Sequence, residues 1–212
     1  MIIPVNLEKK DENGFSALHR AVRKGVLEHV ERLIEAGADI HARTDRRPDR
    51  APIHIASYGG HRGCIRFLVE KGANLNDKNQ YGDTPCHWAV RGESIKALQT
   101  LFDLGANFEE KNRFGLTPLH LSCWLGHIDC LGFLLKKGCD LNAKNEKERS
   151  PLHTAAMTKN MDCIKLLIQF GADINAKDSK CKTFMDYLTS EENKMKVNFW
   201  IESAMDIKEP SF

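Results

Sequence analysis

The tetrapeptides SALH, APIH, TPCH, TPLH and SPLH end at His19, His54, His87, His120 and His153, at successive spacings of 35, 33, 33 and 33 residues. A second marker keeps step with the first. Gly37, Gly72, Gly105, Gly138 and Gly171 open GADI, GANL, GANF, GCDL and GADI, again at spacings of 35, 33, 33 and 33. Two unrelated markers that share one period and the same two-residue insertion restrict the chain to an array of stacked repeats. Within a unit, Thr117 is suited to cap a helix through its hydroxyl, while Pro118 sits in the first turn, where its missing N–H costs nothing. A second helix carries Ile128, Leu131, Leu134 and Leu135 at three- and four-residue spacing and stops at Gly138. Helices shorter than about 12 to 15 residues barely form alone in water, so stacking on neighbours must hold them.

This frame of a turn, a T-P-L-H helix start, two antiparallel helices and a G-A-D-x-N-A loop resembles the ankyrin repeat family. The resemblance covers Asp11 to Lys177 as five full repeats, followed by a degenerate sixth. It implies an all-α fold, an ankyrin repeat solenoid of stacked helix-turn-helix units with projecting hairpin loops. The expected divisions are a lead-in at 1–10, an N-terminal capping repeat at 11–43, a second repeat with the insertion at 44–78, further repeats at 79–111, 112–144 and 145–177, and a capping repeat with tail at 178–212. The end units of a repeat array need polar outer faces. Arg20, Arg23, Lys24, Glu28, Glu31 and Arg32 meet that need in the first repeat, and the stretch SEENKMKVNFWIES meets it in the last. Phe199 and Trp200 are expected to pack against the fifth repeat.

Composition narrows function mainly by exclusion. With 31 basic and 29 acidic side chains the net charge is +2, so no global field draws the chain to nucleic acid or membrane. No apolar run approaches the roughly 18 residues of a spanning helix, and the opening MIIPVNLEKK lacks the pattern of a signal peptide. Seven cysteines without a C-x-x-C pair read as reduced thiols, which places the chain in the cytoplasm, with the nucleus as a second expectation. The five histidines share one repeat slot and therefore one packing role, which the family resemblance implies is to tie each helix to neighbouring backbone. Layers about 8 to 10 Å apart cannot bring two of them onto one zinc. Cys64, Cys130 and Cys163 share a core position, whereas Cys139 and Cys181 lie near loops without an assigned role. No nucleophile elbow, phosphate loop, zinc-protease or kinase signature occurs, so no catalytic residue, metal or cofactor is assigned and the chain is expected not to be an enzyme.

The positions that the repeat frame leaves free carry the functional expectation. The family's concave surface implies that the hairpin tips and the end of each first helix face a partner. The fourth and fifth residues after each histidine are Arg23 and Lys24, Tyr58 and Gly59, Arg91 and Gly92, Trp124 and Leu125, and Met157 and Thr158. Together with the hairpin residues they give a candidate partner-binding set of Tyr58, Tyr81, Arg91, Phe114, Leu116, Trp124, Leu125 and Met157. Clustered exposed aromatic and apolar groups mark interaction sites, with truncations of anchors costing about 2 kcal/mol or more. The competing reading has Trp124 fold onto Met157 and seal a groove.

A basic rim accompanies this set. Arg43, Lys78, Lys111, Lys144 and Lys177 close successive repeats, the inserted finger RTDRRPDRAP adds Arg46, Arg47 and Arg50, and Arg113 lies beside them. These features predict a protein-binding module, whether adaptor, scaffold or inhibitor, that takes an acidic segment with hydrophobic anchors, charge serving encounter and orientation. A monomer without membrane attachment is expected, and nucleic acid is not the expected partner. The alternatives are a nuclear-trafficking cargo that binds Ran, and a single-stranded nucleic-acid binder in which basic residues alternate with aromatics. In the second finger Ala51 replaces the capping Ser or Thr, at a cost of about 1 kcal/mol unless another group caps the helix.

Overall fold

A computed structural model of the chain describes residues 6–45 and 47–206. These are helical throughout, with no strand among the described residues, and fall into two compact units that divide between Arg113 and Phe114. The first unit holds three helix pairs: α1 (Ala17–Lys24) with α2 (Leu27–Glu35), α3 (Pro52–Gly59) with α4 (Arg62–Glu70), and α5 (Pro85–Arg91) with α6 (Ile95–Asp103). The first helix of each pair packs on that of the next, α1 on α3 and α3 on α5, and the second helices form a parallel layer, α2 on α4 and α4 on α6. Leu18, Ile53, Ile65, Leu68, Leu98 and Leu101 are buried between them.

The second unit continues the pattern with α7 (Pro118–Leu125) and α8 (Ile128–Lys136), then α9 (Pro151–Thr158) and α10 (Met161–Gln169). A short 3₁₀ turn (Phe184–Tyr187) packs on α9, and the longer α11 (Glu191–Asp206) packs on α10. Its core is Leu119, Leu131, Leu134, Leu152 and Ile164. Ile128, expected with the buried stripe of α8, lies at its start and is exposed.

The shared histidine slot has one geometry. Its Nδ1 accepts the backbone N–H of the residue three positions earlier, from Ser16, Ala51, Thr84, Thr117 and Ser150 at 3.2, 3.2, 3.2, 3.3 and 3.3 Å. An acceptor at Nδ1 leaves the proton on Nε2, which donates to backbone carbonyls of the following hairpin: His19 to Ala42 and Arg50, His54 to Asp77 and Asp83, and His153 to Lys182. Each imidazole thus caps its own helix as the neutral ring, and His19, His54, His153 and also His120, through the Arg149 carbonyl at 3.0 Å, staple the next loop, as expected. In α3, whose cap residue Ala51 has no hydroxyl, this half of the cap survives through His54. Hairpins open on a carboxylate or amide that folds the turn. Asn79 Oδ1, for example, accepts the N–H groups of Tyr81 and Asp83, both at 2.9 Å.

Most links between paired helices close on a left-handed residue, such as Gly60 and Gly126. In the RGES link the left-handed residue is Glu93, one position later, so Gly92 keeps an ordinary φ. Glycine is required there for a different reason: a Cβ on Gly92 would lie 2.0 Å from the Tyr58 carbonyl oxygen.

At the C-terminal end one expectation is corrected. Trp200 is half-buried, with the Lys165 ammonium 5.7 Å from its ring, but Phe199 is 65% exposed. Helical geometry separates them: α11 buries Val197 completely, and Phe199, two residues on, points some 200° away, whereas Trp200 returns to the same side.

Candidate functional site

In the second unit α7 is buried along its first six residues, Pro118 to Cys123, and emerges only at its end. Trp124 is 50% exposed, Leu125 is exposed beside it, and Phe114 on the preceding hairpin is 60% exposed, while Leu116 and Met157 are half-buried. The backbone beneath the indole is pinned. Asn160 Nδ2 donates to the carbonyls of Cys123 and Trp124 at 2.7 and 3.4 Å, and Thr158 Oγ1 donates to Cys123 at 3.3 Å. A large amphipathic ring on a fixed base loses little freedom when it is covered, which is the property of a binding anchor.

In the first unit Tyr58, the residue of α3 in the same register position, is 52% exposed and stands edge-on to Trp88 at 6.0 Å. Tyr81 is half-buried, its carbonyl accepting the Arg113 N–H at 2.9 Å. Arg91 differs from the expected free contact. Its guanidinium donates to Asp83 at 3.2 Å, and the Asp83 carboxylate is buried and also accepts Asn112 Nδ2 at 2.8 Å. Arg91 therefore neutralises a carboxylate that would otherwise be buried without a counterion, and it has less charge to offer outwards.

The basic rim is likewise less free than the sequence suggests. Arg43 pairs with Asp77 at 2.6 Å, Lys78 reaches Glu110 at 2.8 Å and the Lys111 carbonyl at 3.4 Å, and Lys144 donates to the Lys177 carbonyl at 3.2 Å. These bonds repeat near the sequence period and fasten one repeat's closing loop to the next. Arg47, Lys111, Arg113 and Lys177 are exposed, and Arg46 lies outside the described residues. The finger itself is tied down: Thr44 and Arg50 exchange backbone and side-chain bonds, and Asp49 accepts the Gln80 N–H at 2.6 Å.

Arg50 is the exception among the rim cations. Its guanidinium carbon lies 5.3 Å from the ring centres of both Phe15 and Trp88, and Arg23 lies 5.1 Å from the Phe15 ring. Neither arginine has a carboxylate partner among the described residues. Burial and the Arg23 charge both pull the Arg50 pKa below its ordinary value. Phe15 and Trp88 escaped the sequence reading because packing was the natural account of both. The available signal was an aromatic directly after His87, where the other repeats carry Arg20, Ile55, Leu121 and Thr154.

The two loop cysteines differ: Cys139 is buried and Cys181 exposed, while Cys64, Cys130 and Cys163 occupy the core as expected. Burial raises the Cys123 and Cys163 thiols, the latter to about 11. Among the described residues no group of three or more His, Cys, Asp or Glu side chains is arranged to hold a metal ion, and no helix is long and apolar enough to cross a membrane.

A family model for ankyrin repeats (three copies) matches residues 18–112 and again 104–178. The chain belongs to the ankyrin repeat family. Its all-α helix pairs, joined through projecting hairpins and stapled by T-P-L-H histidines, are the ankyrin fold. Among curated proteins, this ankyrin protein is 40% identical over 81 residues to protein phosphatase 1 regulatory subunit 27 of Mus musculus, covering 38% of this chain and 51% of that one. It is 39% identical over 66 residues to the Notch-regulated ankyrin repeat-containing protein of Xenopus laevis, covering 31% and 56%. To SH3 and multiple ankyrin repeat domains protein 2 of Homo sapiens it is 35% identical over 81 residues, covering 38% and 4%. The matches thus span about half the length of the first two relatives and a small part of the third. Together the family and these relatives make the chain a protein-interaction module.

Proposed function

We propose that this ankyrin repeat protein is a non-enzymatic adaptor, scaffold or inhibitor that binds an acidic protein segment carrying hydrophobic anchors along the face made by its hairpins and first-helix ends. The observation that carries the reading is Trp124, half exposed at the end of a helix that is otherwise buried, on backbone fixed by Asn160. Phe114 and Leu125 add exposed apolar surface in the same unit, and Tyr58 holds the same register position in the first unit. The exposed Arg47, Lys111, Arg113 and Lys177 favour an acidic partner, whose approach local charge would steer more than it would raise the final affinity. A relative named as a regulatory subunit of a phosphatase supports a role exerted on another protein rather than chemistry of the chain's own. A monomer resident in the cytoplasm, with access to the nucleus, completes the proposal.

The test is quantitative capture of partners from lysate by wild type and by the Trp124→Ala, Phe114→Ala double variant, after circular dichroism has established equal folding. Truncating two anchors should weaken specific capture by about thirtyfold or more, since one hot-spot side chain is worth about 2 kcal/mol. Identical partners and amounts for both proteins would defeat the assignment.

A further inference from the structure

In the first unit, the Phe15 ring lies within 5.3 Å of two guanidinium carbons, those of Arg23 and Arg50. Arg50 also lies over the Trp88 ring, and Tyr58 joins the cluster through its edge contact with Trp88. The arrangement is unusual for this molecule because its other partly buried arginines have acidic partners: Arg43 with Asp77, Arg149 with Asp178 and Arg20 with Asp11. Arg23 and Arg50 have none among the described residues. Arg50 Nε and the indole Nε1 of Trp88 are both buried donors without a hydrogen-bond acceptor. The two cations repel each other, Arg50 is half-buried while Arg23 is exposed, and aromatic rings but no carboxylate face them among the described residues. An anion docking on the accessible side of the two guanidinium groups would relieve the repulsion. Stacking on aromatic rings holds a guanidinium in a defined plane, so little side-chain freedom remains to be lost on binding.

We propose that Arg23 and Arg50 form a subsite for a doubly charged anionic group on a bound protein segment, with Tyr58 as its exposed aromatic neighbour. Two unpaired positive charges call for two negative ones, which a phosphorylated side chain or two adjacent carboxylates supply. A planar guanidinium binds either group through paired N–H donors. The proposal rests on the reading that this face receives an acidic protein segment, and it names where the charge of that segment lands.

The experiment uses the full chain and three small probes: phenyl phosphate, phthalate and neutral benzamide. Nitrogen-edited NMR follows the Trp88 indole N–H and the arginine Nε–H signals, with Arg23→Gln as an exposed-site variant that leaves the core intact and Arg50→Gln as the second. Saturable shifts of the Trp88 indole and Arg50 Nε signals with a dianion, absent with benzamide and weakened about tenfold in each variant, are expected, since each charge-assisted hydrogen bond lost is worth about that factor. Saturation by phenyl phosphate alone assigns the subsite to phosphorylated residues, and saturation by phthalate alone assigns it to paired carboxylates. No saturable shift, or binding that survives both variants, overturns it. Probe failure alongside lysate capture that still depends on Trp124 and Phe114 removes the subsite and leaves the wider reading standing. Arginine-dependent probe binding alongside capture indifferent to Trp124 and Phe114 does the reverse.

Discussion

Mild acid should unfold this protein from within, through the histidines that staple its repeats. His54 is fully buried, its Nδ1 accepts the Ala51 N–H, and its Nε2 faces the Asp77 and Asp83 carbonyls at 2.9 and 3.2 Å. A second proton on Nδ1 would break the first bond and place a charge in the core. Burial is the main reason its pKa is pulled from 6.5 down to about 4; the Asp77 carboxylate opposes the shift and Arg43 reinforces it. Because the folded pKa lies below the unfolded one, the unfolded chain binds the proton first. The His54 contribution is therefore fully present above about pH 6.5 and is lost as pH falls towards 4. One pKa unit is worth about 1.4 kcal/mol, so His54 alone should cost about 2 kcal/mol between pH 6.5 and 5, and about 3 kcal/mol by pH 4. His19 and His153 shift in the same direction, chiefly through burial, and steepen the loss. The held-down carboxylates, such as Glu110 and Asp178, release their stability only at lower pH and do not confuse this window. The assay is urea unfolding at pH 7.0, 6.0 and 5.0 for wild type and His54→Gln, whose amide retains a donor and an acceptor without titrating. The variant should be less stable at pH 7 and less sensitive to acid, its loss between pH 6.5 and 5 smaller by about 2 kcal/mol. A wild type whose stability is flat from pH 6.5 to 5, or a variant with an unchanged slope, would refute the account of a neutral, acceptor-bound imidazole.

Further perturbations test particular contacts. Gly92→Ala forces a Cβ onto the Tyr58 carbonyl and should cost about 3 kcal/mol or more in urea unfolding. Gly132→Ala, whose Cβ would meet only Leu166 at 3.8 Å within α8, should instead stabilise by about 0.5 to 1 kcal/mol. Tyr187→Phe removes a hydroxyl that donates to Asp178 and accepts from Arg149 at 2.9 Å, and should cost about 1.5 to 3 kcal/mol in the same measurement. Burial would raise the Asp178 carboxyl, but the Tyr187 hydroxyl, the Lys182 and Lys180 N–H groups and Arg149 outweigh it and hold it well below the usual range. Tyr187→Phe should therefore also weaken the loss of stability on strong acidification. Of the seven cysteines only Cys181 is exposed, so a maleimide should label one thiol quickly in the folded protein and all seven in urea; rapid labelling of a second native thiol would contradict the burial of the remainder.

The period, the helix starts and stops, and the buried role of the histidine slot were all legible in the sequence, because each is dictated locally. A Thr or Ser before Pro starts a helix, an apolar stripe needs a neighbour to cover it, and five identical slots imply one repeated geometry. The exposure of Tyr58 and Trp124 was legible by subtraction, as the positions that stacking does not use. Charge was not legible in this way. Arg43 and Lys78 look free along the chain, and only the fold brings Asp77 and Glu110 against them, since a Coulombic partner about one repeat away leaves no mark in the local sequence; Arg91 meets Asp83, eight residues earlier, only because the hairpin and helix fold back together. The same holds in reverse for Arg50, which looks like one more rim cation until packing sets Phe15 and Trp88 around it and gives it no ion pair among the described residues. Sequence by itself determined which family of packing this chain adopts, because periodic hydrophobicity and capping act between near neighbours. Tertiary structure alone decided which charges remain unpaired, because electrostatic partners are chosen by distance in space.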